Sequence, residues 1–151
     1  MSGLAKSRLG KDRLGDARVR DVMSEKIVTI SADERLSTVE DIMTLGQVRH
    51  MPVVRAGKLV GVVSERDLLR ASLSNLSAFG NEQRRAFLQA VEIKRVMATP
   101  PIVIAADASV VEAAAMMADE KIGCLPVLDG DKLVGMLTET DILRYFASVA
   151  S

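Results

Sequence analysis

Gly61-Val62-Val63-Ser64-Glu65-Arg66-Asp67 returns as Gly135-Met136-Leu137-Thr138-Glu139-Thr140-Asp141, 74 positions further along the chain. The offset holds without a gap from Val22/Val96 to Arg70/Arg144. Of those 49 aligned pairs 16 are identical, which makes the chain a duplicated unit. Identity is densest in Lys58-Leu59-Val60-Gly61 and Lys132-Leu133-Val134-Gly135, with Pro52-Val53 and Pro126-Val127 ahead of them. The period is too long for a solenoid, whose repeats run to roughly 20–50 residues in several copies. A unit of about 50 structured residues also buries little surface alone. Two units packed face to face around a shared core, forming one domain of 151 residues, are therefore expected.

Each half reads as β-α-β-β-α. Ile27-Val28-Thr29-Ile30 and Ile102-Val103-Ile104 are β-branched runs with strand character. Leu36, Val39, Ile42 and Met43 follow helical spacing, whereas Val110 to Ala118 is apolar nearly all round. Candidate capping boxes stand at Ser37/Glu40 and Ser109/Glu112, positions not equivalent under the repeat. Met51-Pro52-Val53-Val54 and Leu125-Pro126-Val127-Leu128 each run into a tight turn, at Ala56-Gly57 and Gly130-Asp131, so two hairpins are predicted. A second helix starts near Asp67 and near Asp141.

This gives an N-terminal extension over 1–19, a first repeat over 20–75, a linker over 76–93 and a second repeat over 94–147. The extension is charged and weakly periodic, read as mobile or as a loosely docked helix. In the linker, Ser74 to Asn81 reads as a loop. Glu82 to Ile93 reads as a helix presenting Phe87, Leu88 and Val91 on one side.

Composition narrows the function classes. Hydrophobic residues make up 48% of the chain, yet no window approaches the roughly 20 apolar residues of a membrane span. Residues 1–20 carry six basic side chains instead of a signal-peptide core. A single cysteine, Cys124, excludes an internal disulfide framework and suits a cytoplasmic, reducing setting. Zero formal charge and few aromatics argue against a nucleic-acid binder, although the basic N-terminus leaves a weak case for one. The sequence has no glycine-rich phosphate loop, nucleophile–base–acid set or metal cluster, so no catalytic or metal residues are assigned. His50 and Cys124 are equivalent positions, but two ligands fall short of a closed metal set.

The β-α-β-β-α order, the Pro-Val-Val…Gly-Lys-Leu-Val-Gly…Ser-x-x-Asp-Leu pattern and its tandem repetition resemble cystathionine β-synthase (CBS) domains, paired as a Bateman module. The resemblance covers roughly residues 20–147 and leaves no room for an attached enzyme. It implies an α+β fold in which two β-α-β-β-α CBS repeats pack with pseudo-two-fold symmetry. It also implies a regulatory sensor without catalysis of its own, binding AMP, ADP, ATP or S-adenosylmethionine in clefts between the repeats. No required cofactor is implied, and the regulated protein is not named by the sequence. The family's pattern carries over onto Ser64, Asp67, Thr138 and Asp141, with the aspartates accepting from ribose hydroxyls. In chemical terms, a carboxylate three residues after a hydroxyl at a helix start can accept from a cis-diol while nearby N–H groups attract phosphate. Val48, Arg49, His50 and Met51, with Ile122, Gly123, Cys124 and Leu125, are expected to line the slot for the base, partly through backbone groups. Arg49, His50 and Arg66 correspond to Gly123, Cys124 and Thr140 in the second repeat, which concentrates phosphate-binding character on the first copy. Two other readings stay open: Ser-x-x-Asp as a helix cap alone, and a structural or protein-interaction pair with no nucleotide. The apolar circumference of Val110–Ala118, with Ile42, Met43 and Leu45 in the first repeat, predicts a homodimer unless the segment around Phe87 and Leu88 covers that surface.

Overall fold

Ala56 and Gly57 both adopt positive φ, at 50° and 77°, and this tight turn closes a hairpin between β2 (His50–Arg55) and β3 (Lys58–Ser64). Two successive positive-φ residues match the right-handed twist of paired strands, and glycine takes the second at no steric cost. Lys132–Thr138 (β6) pairs with Cys124–Asp129 (β5) in the same register, and Gly130 has φ 62° in that turn. In both hairpins the register slips by one residue, between Val53 and Val54 and between Val127 and Leu128, with Val60 and Val134 as the extra residues on the opposite strands.

The computed structural model describes residues 16–73 and 80–150. It divides into two compact units, one spanning Val28–Pro101 (the first unit) and one combining residues up to Ile27 with Ile102–Ser151 (the second unit). The first unit contains β1 (Ile30–Ser31), α2 (Leu36–Gly46), β2, β3, α3 (Glu65–Leu73) and α4 (Asn81–Ala90), then a 3-10 turn at Ile93–Arg95. The second contains the short helix α1 (Val19–Val22), β4 (Ile104–Ala105), α5 (Val110–Glu120), β5, β6 and α6 (Glu139–Ala150). Each sheet has three strands, ordered β1-β2-β3 and β4-β5-β6, with the first pair parallel and the second antiparallel. The fold is α+β with the β-α-β-β-α order in both units, as expected.

The segments that begin each repeat in sequence are exchanged between units. Residues 93–98 lie on the first unit, where Ile93 N–H donates to Glu34 O (2.9 Å) and Ala98 exchanges backbone bonds with Val62 (2.8 and 3.1 Å). Residues 19–24 make the matching bonds on the second unit, from Val19 to Ala108 O (2.8 Å) and between Ser24 and Met136 (2.9 Å both ways). This crossing explains two identical glycines. A Cβ on Gly61 would sit 2.8 Å from Ala98 O, and one on Gly135 would sit 2.9 Å from Ser24 O. Neither approach tolerates a side chain.

Leu36, Val39, Met51, Val53, Val63, Leu88 and Ile93 are fully buried in the first core; Val19, Ala113, Leu125, Val127 and Leu137 fill the second. A large apolar side chain so placed stabilises by about 1.5–3 kcal/mol. Several local expectations change. The strands β1 and β4 are two residues long, because only Ile30-Ser31 and Ile104-Ala105 pair with the neighbouring strand, at Val53-Val54 and Val127-Leu128. Ser109 caps α5 as expected, accepting from Glu112 N–H at 3.0 Å. Ser37 does not cap α2: that helix starts two residues earlier than such a cap requires, Arg35 is its N-cap residue, and Ser37 is buried inside the first turn. The linker helix ends at Ala90 and presents Leu88 to the core. Residues 1–15 of the expected extension over 1–19 and residues 74–79 of the expected Ser74–Asn81 loop lie outside the described residues, while Val19 and Asn81 each begin a helix.

Candidate functional site

Strand β3 ends where α3 begins, and Ser64 and Asp67 close the junction reciprocally. Asp67 N–H donates to Ser64 Oγ at 3.1 Å, and Ser64 N–H donates to Asp67 Oδ2 at 2.9 Å. Thr138 and Asp141 repeat this at the start of α6, at 3.3 and 2.9 Å. Each pair is thus a capping box that satisfies two N–H groups a helix start would otherwise leave unpaired. The cap engages one carboxylate oxygen. Oδ1 of Asp67 and of Asp141 accepts no hydrogen bond among the described residues, and both side chains are half-buried.

The ladder brings the predicted neighbours to these caps. His50 pairs with Ser64 and Cys124 with Thr138 across their hairpins. Glu65 N–H donates to Arg49 O (2.8 Å), and Glu139 N–H to Gly123 O (3.0 Å). Arg49 and Arg66 are exposed; His50, Val48, Ile122 and Gly123 are half-buried; Cys124 is buried. Met51 and Leu125 are fully buried core side chains, so only their backbone groups are available to a ligand.

Asp67 also borders an open cleft of about 600 Å³ on the first unit, lined by Arg70 and Ala71 of α3, by Phe87 and Val91, and by Arg95 and Val96. Sequence reasoning misses these walls as site residues. Phe87 and Val91 carry a signal in the linker's helical spacing, but Arg70 and Arg95 carry none, because nothing local in the sequence brings residues 25 positions apart to one cleft. The described residues contain no group of three or more His, Cys, Asp or Glu able to hold a metal ion, and no helix long and apolar enough to cross a membrane.

The CBS domain family model matches residues 19–74 and 93–148. A CBS domain-containing protein of Dictyostelium discoideum is 34% identical over 133 residues, covering 87% of this chain and 92% of its own length. Protein MJ1225 of Methanocaldococcus jannaschii is 29% identical over 85% of this chain, which spans only 47% of that longer protein. Among solved structures, the CBS domain of a membrane protein from Sphaerobacter thermophilus has a TM-score of 0.78 at 27% identity, covering 94% of this chain and 95% of its own. The CBS domain pair of protein MJ0100, solved with 5′-methylthioadenosine and S-adenosyl-L-methionine, has a TM-score of 0.73 at 26% identity, covering 87% of this chain and 96% of its own.

Proposed function

Since the chain belongs to the CBS domain family and carries two copies of that domain, we propose that it is a regulatory module that binds an adenine-containing ligand and catalyses nothing itself. The ligand is of the AMP, ADP, ATP or S-adenosylmethionine class, held at Ser64 and Asp67 and at Thr138 and Asp141. The observation that carries this reading is the half-used carboxylate in each cap. Oδ2 is committed to the backbone, while Oδ1 is left to accept from a ribose hydroxyl. Ligands containing adenosine in the MJ0100 pair support the choice of class. Arg49, His50 and Arg66 stand beside the first cap, and Gly123, Cys124 and Thr140 beside the second, as flanking contacts. The lone buried Cys124 accords with a cytoplasmic protein.

The closed caps equally favour a second reading, a structural or protein-interaction pair in which the aspartates serve only the helices. Isothermal titration of the full chain with adenosine, AMP, ATP and S-adenosylmethionine separates the two. Replacing Asp67 or Asp141 by Asn is the sharpest variant, because the amide oxygen keeps the cap and the amide nitrogen cannot accept from a diol. Each change is expected to weaken its own site by about 2 kcal/mol, roughly 30-fold, with the unliganded melting point nearly unchanged. Unaltered affinity in the Asp67→Asn, Asp141→Asn double variant would refute the assignment. No heat with any adenine compound would leave the structural reading.

We also propose a homodimer formed through the outer face of α5. That helix buries Val110, Ala113 and Met117, while Val111 is 54% exposed and Ala115 and Ala118 lie on the same outer side.

A further inference from the structure

The chain approaches α5 and α2 by the same path in the two units. Val110 N–H donates to Ala17 O at 3.0 Å, and Leu36 N–H donates to Val91 O at 3.0 Å. Val19 and Ile93 donate to Ala108 O and Glu34 O, and Arg18 bridges to Ser109 as Glu92 does to Arg35. Asp16 is helical, 74 positions before Ala90, where α4 ends. Each of these pairs keeps the offset of 74, so the repeat extends in space beyond Val22, where the sequence match begins. On that offset residues 7–15 are the counterpart of residues 81–89 of α4.

In the first unit, where α4 packs on α2, Leu88 is fully buried and Ser37 of α2 is 8% exposed. The residue of α5 that matches Ser37 is Val111, which is apolar and yet 54% exposed. Ala114 and Ala115 stand where α2 has Glu40 and Asp41, so this side of α5 is apolar throughout. Leu14 is the counterpart of Leu88, and burying it there removes apolar surface of both partners from water. The hold is weaker than in the first unit. Arg84 and Arg85 pair with Glu40 and Asp41, whereas their counterparts, Gly10 and Lys11, have only alanines opposite them. Gly10 and Gly15 also disfavour a helix over residues 7–15. A cover in the right register but without these supports is one that a competitor can displace.

We propose that residues 7–15 pack on the outer side of α5 within one chain, anchored by Leu14, and that a second copy of the chain must displace them to dimerise through that face. The competition rests on the homodimer proposed above; the contact within the chain does not.

Two full-length variants of equal charge test the register. Leu14→Glu removes the anchor, while Leu9→Glu falls at the counterpart of Gln83, which is exposed on α4, and serves as the control. Both are made in the chain carrying Val111→Cys, and alkylation of that thiol by N-ethylmaleimide is followed at a dilution where the chain is monomeric. The buried Cys124 of the same unit, alkylated only on unfolding, is the internal control. Leu14→Glu is expected to raise the rate at Val111→Cys at least about fivefold, and Leu9→Glu to leave it within about twofold. With Val111 intact, sedimentation equilibrium should show the dimer dissociation constant lowered at least about tenfold by Leu14→Glu, since both copies otherwise have to shed the segment first. Equal alkylation with and without Leu14→Glu, or equal effects of Leu14→Glu and Leu9→Glu, overturns the contact within the chain. Faster alkylation with an unchanged dimer constant overturns the competition. Faster alkylation in chains that stay monomeric at every concentration removes the homodimer and leaves the contact standing.

Discussion

Helices α2 and α5 hold the same place in their units, yet their outer faces have opposite characters. In α2 that face carries Glu40 and Asp41, which pair with Arg84 and Arg85 of α4; the Arg85 contacts span 3.2–3.4 Å. Beneath those pairs Leu88 is fully buried and Phe87 packs against the core, so the linker helix covers α2 within the first unit. The equivalent residues of α5 are Ala114 and Ala115, and Val111, Ala115 and Ala118 remain open among the described residues. The inner faces match: Leu36, Val39 and Met43 in one unit correspond to Val110, Ala113 and Met117 in the other. Duplication has kept what the sheet requires and let the outer surface diverge. One copy is closed by its own chain, and the other is left apolar.

The largest expected effect breaks what the two units share. Gly61→Val or Gly135→Val places a branched side chain against the carbonyl of Ala98 or Ser24 and should cost about 3 kcal/mol. Gly57→Ala, which meets nothing within 4 Å but must hold φ 77°, should cost only about 1 kcal/mol. Urea midpoints at constant m-value measure the difference. Equal costs at Gly61 and Gly57 would mean that residues 97–98 do not lie against β3.

The next effect concerns the divergent faces. Val111→Glu or Ala115→Glu should convert a dimer of the 16.3 kDa chain to monomers in light scattering, with little change in the melting point. A charge at Met117, 5% exposed, should instead unfold the second unit, so it cannot report on assembly. Leu143 and Phe146 on α6 are also exposed, at 67% and 55%. Dissociation by Leu143→Glu but not by Val111→Glu would move the interface to α6. A monomeric mass for the unaltered chain would remove the dimer altogether.

The smallest effect belongs to the charged face. Arg84→Gln with Arg85→Gln should cost at most about 1 kcal/mol, and the loss should shrink as salt is added, since these pairs are partly exposed. A loss of several kcal/mol would mean that the ion pairs, and not Leu88, hold α4 in place. Nearby, hydrogen bonding to Glu92 and then to Asp33 raises the Lys94 ammonium above its ordinary 10.5. Its folded-state pKa lies above the unfolded value, so this contribution is complete at neutral pH and fades only as pH rises past about 10.5.

The sequence was most legible where the signal is local. Hairpin turns at Ala56-Gly57 and Gly130-Asp131, the cap at Ser109, and the Ser64/Asp67 and Thr138/Asp141 pairs all depend on residues within a few positions of one another. The site was legible to the same depth. The capping pairs and their neighbours across the hairpin could be named, but the burial of Met51 and Leu125 and the cleft walls at Phe87 and Arg95 could not, since they follow from packing.

By itself the sequence determined two β-α-β-β-α copies, their turns, and a glycine at one fixed place in each. Only the tertiary structure decided which starting segment lies on which glycine. Val22-Met23 and Val96-Met97 are identical, and so are the Lys-Leu-Val-Gly strands that receive them. Either segment satisfies either strand locally, and propensity has nothing to choose between. The choice belongs to the path of the whole chain, which lays residues 93–98 on the first unit and residues 19–24 on the second.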